Sequence, residues 1–288
     1  LGGIVDGIPY HGSQIISPID KEIFHDIQSV TSLKSIKRAR NWNVLDEKII
    51  RAYVHATAAL VKVPRDIKVV YTAMHGVGTE TLRSVFHAAG FAEPILVSVQ
   101  SDPDPDFPTT PFPNPEEPGA IDLALETARS FNADIVIAND PDADRCAVAI
   151  NDGQWRMLRG DEVGAILGEY IARKNAQGVF ANSIVSSSLL SKIAHRYGLK
   201  FAETLTGFKY LSKIPNLTFG YEEALGYCVD SQSVNDKDGI SAGLKIVEIA
   251  AELKSHGSSL SEFLSEIWAT YGYYFTSQIS LRTSNLPE

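Results

Sequence analysis

The chain has 288 residues, 44% hydrophobic and 21% charged, ordinary values for a globular protein with apolar surface for more than one core. Its formal net charge of −9 argues against nucleic acid or a polybasic membrane contact, since binding phosphate-rich surfaces takes clustered Lys and Arg. Two distant cysteines, Cys146 and Cys228, exclude a disulfide framework and a CxxC zinc site, and no apolar run approaches the ~20 residues that cross a bilayer. Reduced thiols and a cytoplasmic location are the expectation. The chain opens on LGGIVDG without Met and stops at RTSNLPE in mid-pattern, which predicts a piece of a longer protein.

In chain order, a loop-like start leads to helical apolar spacing over 46–60 (DEKIIRAYVHATAAL). Residues 67–73 (IKVVYTA) read as a strand, MHGVG as a loop, and 79–90 as a helix with Thr79 at its N-cap and Gly90 at its C-terminal stop. A strand over 94–99 precedes residues 102–118, whose seven prolines predict an ordered surface loop. A helix over 119–132 then leads into ADIVIA (133–138), apolar on both faces as a central strand is. CAVAI (146–150) reads as a further strand.

The pattern restarts with a helix over 161–174, a strand over 178–185, a helix over 187–198 and a strand over 199–204. A strand over 217–221 and a long helix over 239–257 complete it. This predicts two consecutive α/β/α three-layer domains with mixed, mostly parallel sheets, over 45–157 and 158–274. Residues 1–44 and 275–288 read as the edges of neighbouring domains.

Between two of these strands lies NDPDADR, with Asp140, Asp142 and Asp144 at alternate positions and Arg145 beside them. Alternate residues of an extended segment project to one side, so a turn here would gather three carboxylates at one point. Hard divalent cations take oxygen ligands, and the carboxyl end of a central strand is where α/β sheets place ligands. Arg145 suits a phosphate oxygen through its planar fork. An EF-hand starting at Asp140 would need Gly and Glu where Arg145 and Asn151 stand, and a DxDxT nucleophile loop would need Thr at Asp144. A solvated acidic turn is the bland alternative.

MHGVGT places glycines 76 and 78 at a strand–helix junction, with Asp102 beyond; a dinucleotide fingerprint would want Gly where Thr81 stands. A nicotinamide-dependent oxidoreductase is therefore an alternative, as is a simple tight turn. His75 lies in the same loop. Lys209 follows a Gly turn in TLTGFKY, and Glu222 and Glu223 sit at a strand end in GYEEALGY, where carboxylates match vicinal sugar hydroxyls or simply charge a turn. Asp238 reads as the N-cap of the last long helix, with Lys237 able to face a phosphate. Serines 186–188 read as a helix cap.

Together these stretches resemble the α-D-phosphohexomutase superfamily of phosphoglucomutases, phosphomannomutases and phosphopentomutases. DPDADR resembles its metal loop, GYEEALGY its sugar-binding loop, TGFKY a phosphate-contacting loop, MHGVG the opening of its second domain, FPNPEEP the loop ahead of the metal strand, and GSQIISPIDKEI the close of its first. The wording is closest to the phosphoglucomutase/phosphopentomutase-like branch, and the resemblance covers the central domains. It implies Mg²⁺ on Asp140, Asp142 and Asp144, with Arg145 and His75 as catalytic candidates. Thr206, Gly207, Lys209, Glu222, Glu223, Lys237 and Asp238 are the implied substrate-binding residues. The implied ligands are phosphorylated sugars, hexose or pentose, exchanging phosphate through a phosphoserine and a bisphosphorylated intermediate. The serine loop (commonly T-A-S-H-N-P) and the terminal phosphate loop do not occur in these residues, so the chain alone is expected to be inactive; a non-catalytic sugar-phosphate-binding module is the alternative. Ala224 stands where many glucose- and mannose-branch relatives have Ser, which leaves the sugar open.

Overall fold

The computed structural model describes residues 12–62, 66–174, 177–277 and 279, together with the backbone of a short antiparallel pair, β1 (Ile4–Val5) and β2 (Ile8–Pro9). Residues 1–3, 6–7, 10–11, 278 and 280–288, part of the two expected edge segments, lie outside the described residues.

The start read as loop contains a helix, α1 (Ile19–Ser29), none of whose residues is buried. Helix α2 (Lys48–Ala58) buries Val54, Thr57 and Ala58. The first sheet then has the order β4-β3-β5-β6-β7, from β3 (Val69–Thr72), β4 (Ile95–Leu96), β5 (Ile135–Ala138), β6 (Ala147–Asn151) and β7 (Trp155–Met157). β3 lies parallel to both β4 and β5, while β6 and β7 run antiparallel. All four residues of β5 are buried, as expected of an apolar run between two neighbours. Helices α3 (Gly78–Ala89) and α4 (Asp122–Phe131) supply the crossovers, each ended by a left-handed residue, Gly90 and Asn132.

The second sheet has the order β11-β10-β8-β9, from β8 (Val179–Ser183), β9 (Lys200–Thr204), β10 (Leu217–Glu222) and β11 (Gly226–Cys228). β10, β8 and β9 are parallel, and β11 turns back antiparallel on β10. Its helices are α5 (Gly160–Arg173), α6 (Leu189–Arg196), the single turn α7 (Phe208–Leu211), α8 (Gly239–Ser255) and α9 (Leu260–Tyr271). Both sheets are mixed, as the alternation of elements predicts.

Three readings of the sequence are corrected. Thr79 is not the cap of α3: the helix starts at Gly78, and the Thr79 hydroxyl donates instead to the Ser101 carbonyl. The strand expected over 94–99 shrinks to two residues before a 3₁₀ turn at Ser98–Gln100. Helix α9 was not expected, although Ser259 and Glu262 form a reciprocal capping box at its start, a signature visible in the sequence. The proline-rich stretch 102–118 holds no helix or strand, as its composition requires.

One apolar core runs through both sheets, from Val54 to Ile267. Helix α8 makes it continuous. It packs on α3 and β5 of the first sheet and on β11 and α5 of the second, and Gly243 lets it approach Ile137 and Cys146 closely. A helix apolar on nearly every side, GISAGLKIVEIAAELKS, has its place in such a seam.

Candidate functional site

Four parallel strands, β3, β5, β8 and β10, deliver their following residues to the site, as the carboxyl ends of α/β sheets do. After β5 the chain turns through Asp140-Pro-Asp-Ala-Asp144, with Ala143 left-handed at φ 59°. Asp140, Asp142 and Asp144 each offer a carboxylate oxygen within 4.8 Å of the others. Asp140 is buried, Asp144 half-buried and Asp142 exposed. The predicted convergence is present.

The turn is gripped from both flanks. Gly76 presses against the backbone of Pro141, where a Cβ would come within 2.3 Å, and the Val77 N–H donates to the Pro141 carbonyl. On the other flank the Gly239 N–H donates to the Ala143 carbonyl, and a Cβ on Gly239 would meet the Arg145 carbonyl oxygen at 2.1 Å. Beneath, the Tyr71 hydroxyl donates to Asn139 Oδ1, and Asn139 Nδ2 donates to the Arg145 carbonyl. The glycines at 76 and 78 are thus explained by close packing, since Gly78 sits against the Tyr71 hydroxyl. The nicotinamide reading loses the two glycines that helped to motivate it.

The cations face the carboxylates. The Arg145 N–H donates to Asp140 Oδ1 at 3.0 Å, and its Nε lies 3.5 Å from Asp140 Oδ2 and 3.9 Å from Asp144 Oδ1. Lys237 Nζ lies 2.5 Å from Asp144 Oδ2. Burial pushes the Asp140 carboxyl up to about 6, against the Arg145 N–H and with its acidic neighbours adding to the rise. Burial also raises Asp144, countered by Lys237. In Lys237 burial pulls down and Asp144 pulls up, with a net rise. Three carboxylates against two cations leave an excess of negative charge in a partly buried loop.

Arg145 and Gly226 form an antiparallel bridge, and the Cys146 N–H donates to the Leu225 carbonyl at 2.9 Å. The acidic turn of one sheet is thereby joined by main chain to the glutamate hairpin of the other. That hairpin closes through Glu223, Ala224 and Leu225, with Leu225 left-handed at φ 66° yet fully buried. Glu222 Oε1 accepts the Gly207 N–H at 2.6 Å, and burial raises its carboxyl above the ordinary range. Glu223 Oε2 accepts the hydroxyls of Ser183 and Ser186 at 2.9 and 3.0 Å.

The remaining candidates divide. Gly207, at φ 121°, opens α7 beside Glu222, Thr206 next to it is exposed, and Lys209 lies with its ammonium 5.3 Å from the Tyr210 ring centre. His75 is buried in a left-handed turn and its Nε2 pairs with Thr109 Oγ1, so its ring holds the proline-rich loop. Asp238 caps α8 as predicted, accepting the N–H groups of Ile240 and Ser241 and the Tyr53 hydroxyl. It is buried, which suits it to placing Lys237 better than to touching a ligand. Ser183, Asn139 and Glu116 had not been anticipated. Only their partners across the fold reveal them; Glu116, raised by burial, feels the Arg145 charge.

The two α/β/α domains correspond to two consecutive domains of one enzyme family. The family description "Phosphoglucomutase/phosphomannomutase, alpha/beta/alpha domain II" matches residues 51–153, and its domain III counterpart matches residues 159–271. The chain belongs to the phosphoglucomutase/phosphomannomutase family. It is 47% identical over 284 residues to the "Probable phosphomannomutase" of Haemophilus influenzae, covering 96% of this chain and 59% of that protein. It is 37% identical over 304 residues to the human "Phosphopentomutase", covering 92% and 49%. The X-ray structure of a phosphoglucomutase/phosphomannomutase family protein from Burkholderia thailandensis shares the fold, with TM-score 0.75 and 19% identity over 90% of this chain and 54% of that one. The chain thus spans roughly half the length of these relatives.

Proposed function

We propose that this chain is the metal- and sugar-binding part of a Mg²⁺-dependent phosphosugar mutase, which moves phosphate between sugar hydroxyls through a phosphoserine supplied outside these residues. The observation that carries the reading is the main-chain bridge setting the acidic turn beside the paired glutamates. The donor set fits the ion: three aspartate oxygens on one turn are the hard ligands Mg²⁺ selects in phosphoryl-transfer sites. When bound, Mg²⁺ would be held by Asp140, Asp142 and Asp144 and would offset charge on phosphoryl oxygens.

The chain's own residues then have distinct tasks. Asp140 has one oxygen engaged by the Arg145 N–H, which leaves Oδ2 as its ligand atom. Arg145 and Lys237, already beside the acidic turn, orient phosphate oxygens by charge and donor geometry. Lys209, after the Gly207 turn, offers a third cation to a phosphate. Glu222 and Glu223 accept sugar hydroxyls, each pre-oriented from behind by Gly207 or by the two serines. Ala224 removes one hydroxyl from this set, so the choice between hexose and pentose rests on the remaining contacts.

Relatives named phosphomannomutase and phosphopentomutase support a phosphosugar substrate. Two free, buried cysteines suit a cytoplasmic protein, and no helix among the described residues is long and apolar enough to cross a membrane. The test is to assay the 288-residue chain and its full reading frame with glucose 1-phosphate, mannose 1-phosphate and ribose 1-phosphate. Mutase activity of the full frame on at least one, with little from the chain alone, is the expected result. A full frame that interconverts none of them overturns the proposal.

A further inference from the structure

A buried carboxylate outside the acidic turn joins two surfaces that the proposed reaction does not by itself connect. Asp161, in the first turn of α5, is 6% exposed and receives three hydrogen bonds from three separate parts of the chain. The Ser187 N–H and the Tyr221 hydroxyl each donate to its Oδ1 at 2.7 Å, and the Thr276 hydroxyl donates to its Oδ2 at 2.6 Å. Next to it, the Arg159 guanidinium donates to the Thr276 carbonyl at 3.3 Å and lies 4.4 Å from the Phe275 ring centre. The segment 273–276, which follows α9, is thereby strapped across the N-terminus of α5.

The other side of Asp161 is the seat of Glu223. Ser187 continues directly from Ser186, whose hydroxyl holds Glu223 Oε2 and accepts the Glu223 N–H. Tyr221 lies on β10, two residues before Glu223, which opens the turn after that strand. Gly160 has no Cβ because the Glu223 carbonyl oxygen would lie 1.8 Å from it, and its own carbonyl accepts the Tyr227 hydroxyl. The glutamate loop and the strap thus rest on adjacent residues, the loop against Gly160 and the strap on Asp161 and Arg159. Removing any partner from a buried carboxylate leaves it under-solvated, so the three bonds support one another.

We infer that Asp161 is a positioning residue that couples the orientation of Glu223 to the docking of the segment 273–276. The inference rests on the proposed role of Glu223 in holding sugar hydroxyls. Release of Thr276 leaves the Asp161 carboxylate held through Oδ1 alone and free to rotate away from the Ser187 N–H, which loosens the 183–187 seat, while a docked strap holds Glu223 ready. The acidic turn, reached through the Arg145–Gly226 bridge, is left unchanged.

The test uses Thr276→Val, which removes one donor on a partly exposed strap, and Asp161→Asn, which removes the buried charge. Hydrogen exchange and binding of glucose 1-phosphate and Mg²⁺ are measured on each and on the unsubstituted chain. Both variants are expected to exchange faster at 183–187 and at 273–277, and to bind glucose 1-phosphate ~three- to tenfold more weakly. Mg²⁺ affinity stays the same, a separation that general loss of structure would not give. Faster exchange confined to 273–277 in Thr276→Val, with sugar-phosphate affinity unchanged, overturns the coupling. Failure of the unsubstituted chain to bind glucose 1-phosphate, mannose 1-phosphate or ribose 1-phosphate counts instead against the proposed function, and the exchange at 183–187 in Thr276→Val still decides the inference.

Discussion

Arg145 and Gly226 pair as an antiparallel bridge between the two sheets. The contact sets a backbone strut of about 5 Å between the acidic turn and the glutamate hairpin. A substrate that touches both loops would therefore meet groups whose spacing is fixed by main chain, before any side chain adjusts.

Asp142 is the exposed member of the acidic trio and bears little of the fold. Asp142→Asn is expected to weaken Mg²⁺ binding by at least ~tenfold while shifting the melting temperature by less than about 2 °C. Isothermal titration with Mg²⁺ and a thermal scan on the same sample check both halves. Unchanged affinity would remove Asp142 from the ligand set.

Lys237 competes with a cation for Asp144, at 2.5 Å. Lys237→Met is expected to tighten Mg²⁺ binding ~three- to tenfold by removing a positive charge beside the ligand oxygens. It should weaken sugar-phosphate binding in the same protein. Parallel titrations with Mg²⁺ and with glucose 1-phosphate would show the opposite signs; two losses would mean that Lys237 is structural.

The carboxyl of Asp140 is raised from 3.8 to about 6, mainly by burial. The native state therefore holds that proton more tightly than the unfolded chain, and the contribution of Asp140 to the stability of the metal-free protein is greatest below pH ~4. That contribution should fall by on the order of 2 kcal/mol as pH rises to about 6. Mg²⁺ displaces the same proton, so its affinity should climb over that window and level off above it. Urea titrations of metal-free protein at pH 4, 5, 6 and 7 give the first slope; Mg²⁺ titrations at the same pH values give the second.

Asn139 lies under the acidic turn and satisfies two buried groups, the Tyr71 hydroxyl and the Arg145 carbonyl. Asn139→Ala leaves both without a partner and is expected to cost about 2–4 kcal/mol of stability, with Mg²⁺ affinity falling as the turn relaxes. Adding Tyr71→Phe should recover part of the loss, because it removes one of the orphaned groups. A double variant that is merely additive would show that the two residues do not act together.

Much of the fold was legible because its signals are local. ADIVIA is apolar on both faces over a strand's length, and Gly90 and Asp238 stand where helices stop and start; β5, α3 and α8 follow. The misreadings were local as well. Thr79 looks like a cap until Ser101, 22 residues away, offers its hydroxyl a better acceptor. The pairing of the His75 ring with Thr109, 34 residues away, likewise has no local signal.

The sequence by itself determined the convergence of Asp140, Asp142 and Asp144, because a two-residue spacing on a turn is a property of the local backbone. Tertiary structure alone decided which groups surround that trio: Gly226 beside Arg145, Lys237 on Asp144, Ser183 behind Glu223, and Thr276 on Asp161. Those partners are 40 to 115 residues apart along the chain. The first two meetings depend on how two sheets close around α8 and the last two on packing within the second domain, outcomes that no short window of residues encodes.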